Sequence, residues 1–183
     1  MSDSTSNLAV PVSPDDHIQG DPSALVTLIE YGDFQCPACG MAHPIVKQLQ
    51  LNYGGDLRLV FRHFPLRQAH PFATLAAETA EGASALGKFW PMHDWLYENQ
   101  EAWSALGAEG LVAGLRSLDI DASAVERATA DPEVAARIRN DFRGGVRSGV
   151  NGTPSFFVNG RLHQGDFADG LALAIEDAIA NSR

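Results

Sequence analysis

Positive charge is scarce in this chain: 13 lysines and arginines stand against 23 aspartates and glutamates, for a formal charge of −10. Repulsion from nucleic-acid phosphate or from an anionic membrane surface would slow each encounter, so neither is expected as the main partner. Long apolar runs are missing too. None approaches the roughly 20 residues that a membrane span requires, so no membrane insertion is expected. The opening stretch MSDSTSNLAVPVSPDD has neither a basic start nor an apolar segment of the secretory kind. It gives a cytoplasmic protein as the expectation, although a processed exported form with an added start methionine would read the same way. Cysteine is nearly absent, at two among 183 residues, which excludes a framework of structural disulfides.

Those two cysteines close the stretch LVTLIEYGDFQCPAC, Leu25 to Cys39. Leu25 to Tyr31 is rich in β-branched and aromatic residues and too short for a typical helix, so a buried strand is expected. Gly32 and Asp33 turn the chain. From Pro37 onward Met41, Ile45, Val46 and Leu49 recur at helical spacing, and proline is at home in the first helical position. Cys36 therefore falls at the N-cap, where free N–H groups and the helix dipole stabilise a thiolate. That setting lowers a cysteine pKa from about 8.5 into a range of roughly 3.5 to 7.5. Cys39, one turn on, shares the face and is placed to attack a mixed disulfide at Cys36. Random placement would set two cysteines three apart roughly one time in ninety, so the spacing carries information. The alternatives are inert buried thiols or half of a zinc site completed by histidines such as His43, His63, His70 or His93. No metal is expected.

Residues 1–16 read as a flexible lead-in or a loosely attached edge strand, and His17 to Pro22 as turn residues. Leu57 to Phe64 reads as a second strand, making a right-handed βαβ unit with parallel strands and the cysteines beyond a strand's carboxyl end. Residues 65–150 read as helical, with helices over Phe72 to Leu86, Phe89 to Asn99, Ala108 to Leu118, Ala122 to Ala130 and Pro132 to Val146. A block of that length is an inserted helical subdomain, not a loop. Ser155 to Val158 and Arg161 to His163 form a hairpin about Asn159-Gly160, and Phe167 to Ala180 an amphipathic closing helix. The fold class is α/β, a single domain over residues 17–183.

Glu30 sits in the first strand on the face of Val26 and Leu28. Buried there it becomes a candidate base for Cys39; at a solvated strand end it is only a surface carboxylate. Thr153-Pro154 precedes a strand, and base rates alone favour a trans bond. His43 follows Cys39 by one turn and reads as a packed or solvent-facing residue more readily than as a thiolate-tuning one. The aromatic set Phe89, Trp90, Trp95, Tyr97 and Trp103 reads chiefly as core. Arg139, Arg143 and Arg147 form a basic stripe, chiefly a solvated face, with contact to an acidic substrate or glutathione carboxylates as the lesser reading.

The runs IEYGDFQCPAC and NGTPSFFVNG together resemble the DsbA-like branch of the thioredoxin superfamily. The resemblance implies a thioredoxin scaffold, residues 17–64 and 151–183, interrupted by the helical insertion 65–150. It implies thiol–disulfide exchange with protein or peptide thiols, glutathione or a dedicated redox partner. Cys36 would be the attacking sulfur and Cys39 the resolving one, with no cofactor beyond that pair. It also implies a cis Pro154 beside the cysteines, Thr153 presenting backbone groups to substrate, and a proton-transfer role for Glu30. The Pro37-Ala38 dipeptide tunes the potential. Strongly oxidising members often place histidine second, and Ala38 offers no donor, so a very oxidising potential is not expected. The rival functions are a non-catalytic peptide-binding or chaperone-like module and a glutathione-dependent transferase or isomerase on the related fold.

Overall fold

The computed structural model describes residues 7–182. A five-stranded sheet runs in the order β1-β3-β2-β4-β5. β2 (Val26–Gly32) and β3 (Leu57–His63) are parallel and joined by α1 (Pro37–Tyr53) and a short 3-10 turn. β1 (His17–Gln19) adds antiparallel to β3. β4 (Ser155–Val158) adds antiparallel to β2 and carries β5 (Arg161–Leu162) as its hairpin partner. Asn159 and Gly160 both have positive φ, 47° and 80°, as a two-residue hairpin turn of matching twist requires.

Alternation along the strands divides the core. Val26, Leu28, Leu57, Leu59, Phe156 and Val158 face α1 and α8 (Gly170–Ser182), meeting Ala42, Val46, Leu49, Leu171 and Ile175. Ile29, Tyr31, Val60 and Phe157 face the other way, toward Phe142 and Leu8. Six helices lie between β3 and β4: α2 (Ala73–Ser84), α3 (Phe89–Glu98), α4 (Gln100–Leu106), α5 (Ala108–Ser117), α6 (Ala122–Thr129) and α7 (Pro132–Arg147). Their shared core holds Met92, Leu96, Trp103, Leu111 and Leu115, and it continues to Phe34, Cys36 and Cys39. The loop that carries the two cysteines is thus clamped between the sheet and the helical block.

Four sequence readings change. His17–Gln19 is an edge strand and not a turn, because it pairs with Leu59–Phe61, forty residues away in sequence. Gln100–Leu106 is a helix of its own, wrapped about the buried Trp103. The last helix starts at Gly170 because Asp166 Oδ1 accepts from the Asp169 N–H and holds residues 167–169 as a turn. The lead-in is fastened from Asn7 onward, where the Asn7 N–H donates to the Gly160 carbonyl at 2.9 Å. The buried Arg62 guanidinium then binds the Val10 and Pro11 carbonyls and both oxygens of Asp16. The rest of that reading, residues 1–6, lies outside the described residues.

Candidate active site

β2 delivers the chain to the site through Gly32, where only glycine fits. A Cβ there would stand 2.6 Å from the Phe61 ring and 2.7 Å from the Tyr97 hydroxyl. Asp33, fully buried, then ties the loop down. Its Oδ1 accepts from the Gln35 N–H at 2.8 Å, its Oδ2 from the Leu66 N–H at 2.9 Å and from His70 Nδ1 at 2.7 Å. The Asp33 carbonyl accepts from the Cys36 N–H. From the helical block Gln100 Nε2 donates to the Phe34 and Cys36 carbonyls, each at 2.8 Å.

Cys36 is the N-cap of α1, in extended backbone conformation, with Pro37 opening the helix. Both cysteines are free thiols and both are buried. The Cys36 thiol is driven down from 9.0 to about 5. Its largest support is a hydrogen bond from the Cys39 thiol, opposed by burial and aided by the Thr153 side chain and the first amides of the helix, those of Ala38 and Cys39. In the neutral state Cys36 Sγ donates to the Thr153 carbonyl at 3.3 Å. Cys39 goes the other way. Burial, its donation to Cys36, and the negative charges of Glu30 and Cys36 push it well above the ordinary thiol range. One sulfur is thus held as an anion beside another held as an acid, the two forms that exchange chemistry uses in turn.

Glu30 stands on β2, paired with Phe61 on one side and Phe156 on the other, and is 1% exposed. Burial first, and the Cys36 charge second, raise its carboxyl from 4.5 to about 8. Among the described residues its Oε1 has no hydrogen-bond partner, and neither has the Tyr97 hydroxyl, whose pKa burial and the charges of Cys39 and Glu30 push up. A carboxyl near 8 gives and takes protons close to neutral pH.

The Thr153–Pro154 peptide bond is cis. It immediately precedes β4, whose Ser155 pairs with Tyr31 of β2, so the bond sits beside Cys36. Apart from its support of the Cys36 thiolate, the Thr153 hydroxyl has no partner among the described residues. Pro37 is exposed and Ala38 half-buried. His43 is buried against His93 and Tyr97, away from the sulfurs' own hydrogen bonds. Arg139, Arg143 and Arg147 are exposed along α7.

Asp33, His70, Tyr97 and Gln100 are the parts that sequence reasoning missed. Asp33 read as a turn residue and Tyr97 as core. Adjacency to Cys36 was the only available signal for Asp33, and nothing local marks Gln100, 64 residues from its partner.

Residues 12–177 match a family model described as Thioredoxin. Among solved structures, a thioredoxin-like oxidoreductase from Silicibacter pomeroyi DSS-3 is 28% identical with a TM-score of 0.79, covering 91% of this chain and 93% of that one. The α-DsbA1 of Wolbachia pipientis superposes with a TM-score of 0.81 at 23% identity, over 97% of this chain and 98% of that one, which speaks to the fold. A curated relative named Na(+)/H(+) antiporter NhaA 1, from Salinispora arenicola, is 43% identical over 185 residues. The match takes in 100% of this chain but 28% of that protein, so the chain spans under a third of the curated relative's length. This overturns the cytoplasmic expectation. That expectation rested on the first residues alone, whereas proteins sharing this segment are named for moving ions across a membrane and carry it as a minor part of their length. Among the described residues no helix is long and apolar enough to cross a membrane. The family model and the structural neighbours agree that this chain belongs to the thioredoxin family, and its sheet with a helical insertion has the fold of the DsbA structure.

Proposed function

We propose that this protein is a thiol–disulfide oxidoreductase that exchanges disulfides with protein substrates through Cys36 and Cys39. The observation that carries the proposal is the opposed ionisation of the pair, Cys36 pushed down to about 5 while Cys39 is pushed up. Stabilising the thiolate favours the dithiol, which makes the Cys36–Cys39 disulfide the oxidant. A substrate thiolate attacks Cys36 Sγ, the bond to Cys39 breaks, and the Cys39 sulfur leaves with the electron pair. Glu30, protonated below about 8, supplies the proton that Cys39 retains. A second substrate thiolate then attacks the substrate sulfur of the mixed disulfide, closing the substrate disulfide and releasing Cys36 as thiolate. Thr153 and Pro154 orient the substrate segment, which pairs by backbone hydrogen bonds with Thr153 just ahead of β4. Read backwards, the same groups reduce a substrate disulfide, with Glu30 taking the Cys39 proton.

The test is direct. Cys36→Ser abolishes exchange, and Cys39→Ala accumulates mixed disulfides with substrate. Turnover retained by the Cys36 variant rejects the proposal. Binding of unfolded peptide unchanged in the cysteine-free variant, with no exchange in the wild type, supports a peptide-binding module instead. Glutathione-dependent turnover that survives loss of Cys39 supports a transferase. The antiporter relatives favour one refinement, that the partner is a membrane transporter. Mass spectrometry of the trapped mixed disulfides identifies or rejects it.

A further inference from the structure

α1 and α3 meet at a polar cluster that the redox chemistry leaves unused. His43 of α1 and His93 of α3 are 6% and 2% exposed in their side chains, with ring centroids 5.6 Å apart. Each keeps a buried Nε2 with no hydrogen-bond partner among the described residues. Buried polar atoms left unpaired in a native protein call for a ligand or a functional role. His93 Nδ1 lies 2.9 Å from Asp94 Oδ1. A carboxylate only accepts, so Nδ1 carries the proton and Nε2 the lone pair. That is the arrangement in which an outer carboxylate orients a metal-binding imidazole. One ligating atom from each of His43, His93 and Asp94 lies within 4.8 Å of the others. Glu98, largely exposed, stands with Oε1 3.8 Å from His43 Nε2.

We propose that the Nε2 atoms of His43 and His93, with Glu98 as a third ligand and Asp94 orienting His93 through Nδ1, bind one divalent transition-metal ion of the type that imidazole and carboxylate share, such as Zn2+. Lys47, whose Nζ holds Asp94 Oδ2 at 2.7 Å, steadies that outer carboxylate. The second histidine pair, His17 and His63 with Glu81, fits a metal less well. There a single oxygen already receives both imidazoles, at 2.6 and 2.7 Å, and faces the Arg137 guanidinium at 3.2 Å. The ion at His43 and His93 would clamp α1 to the helical block one turn past Cys39. The Tyr97 ring, 5.3 and 5.2 Å from the two imidazoles, lies against it.

Zn2+ titration by calorimetry, on the full chain carrying Cys36→Ser and Cys39→Ser so that thiolates do not compete, tests this. One equivalent binds, and His43→Gln and Asp94→Asn each weaken it at least tenfold. Asp94 is partly exposed, so its variant reports even where replacing a buried histidine disturbs folding. The thermal midpoint of the parent rises with one equivalent of Zn2+, and that of Asp94→Asn does not. Absence of saturable binding overturns the proposal. So does binding that survives both substitutions, or that is lost on Glu81→Gln instead.

Discussion

Gln100 holds Cys36 by the backbone: its Nε2 donates to the Cys36 carbonyl and to the Phe34 carbonyl, both at 2.8 Å. The two carbonyls bracket the turn that ends at the helix N-cap, so one side chain from α4 fixes where the reactive sulfur stands. It also explains Gly40, where a Cβ would approach Gln100 Oε1 to 2.5 Å. Gln100→Ala removes both bonds at once and leaves the partly buried Phe34 carbonyl without this donor, while the Cys36 carbonyl keeps the Gly40 N–H at 3.1 Å. Stability falls by about 1–3 kcal/mol in urea unfolding. The pH midpoint of Cys36 alkylation rises as the helix start loosens, while overall helix content stays the same.

Glu30 and Cys36 pull the stability of the reduced protein in opposite directions with pH. Glu30 is raised from 4.5 to about 8, so the folded state binds its proton more tightly. Its contribution is complete below about pH 4.5 and is lost as pH rises toward 8, at up to about 1.4 kcal/mol per pH unit. Cys36 is lowered from 9.0 to about 5, so its contribution is present above 9 and lost as pH falls toward 5. The two slopes oppose between pH 5 and 8. Relative to the wild type, reduced Glu30→Gln gains stability across that window and reduced Cys36→Ser loses it. Denaturant midpoints at pH 5, 6.5 and 8 measure both, and parallel curves for all three proteins would show that the two groups titrate normally.

How much of this was open to the sequence depends on range. The strand-turn-helix around Cys36 was legible because each signal is local: β-branched residues, Gly32-Asp33, then Pro37 with an apolar stripe. The face of Glu30 followed from alternation with Val26 and Leu28. Its burial did not, because α1 and α8 close that face and α8 is 140 residues away in sequence. The same reason hid β1, whose turn-like residues become a strand only against β3. It also hid Asp33, whose partners at Leu66 and His70 arrive from the loop after β3.

Thr153→Val keeps the shape beside Cys36 and removes a hydroxyl that has no other partner among the described residues. The Thr153 carbonyl stays in place. The Cys36 thiolate loses one of its supports, so the midpoint of its alkylation by iodoacetamide rises from near 5 by about one unit. Cys39→Ala, which removes the largest support, raises it further. A Thr153→Val profile that overlays the wild type would assign the low pKa to Cys39 and the helix amides alone.

Arg62 is the fastening of the N-terminal segment, and its replacement separates a lost charge from a lost attachment. Its guanidinium, 3% exposed, makes two bonds to Asp16 at 2.8 and 2.9 Å and one each to Tyr31 and the Val10 and Pro11 carbonyls. Arg62→Met preserves the stem but leaves the Asp16 carboxylate, 8% exposed, without its countercharge. Breaking one side of a buried pair costs about 3–5 kcal/mol, because the remaining charge stays desolvated. Arg62→Met combined with Asp16→Asn removes that stranded charge, so the double variant is more stable than the single one. Limited proteolysis reads the attachment independently. In both variants cleavage appears within residues 8–16, since neither retains the grip on the Val10 and Pro11 carbonyls, while the wild type resists. Equal stability of single and double variants would mean that the carboxylate finds water once Arg62 is gone.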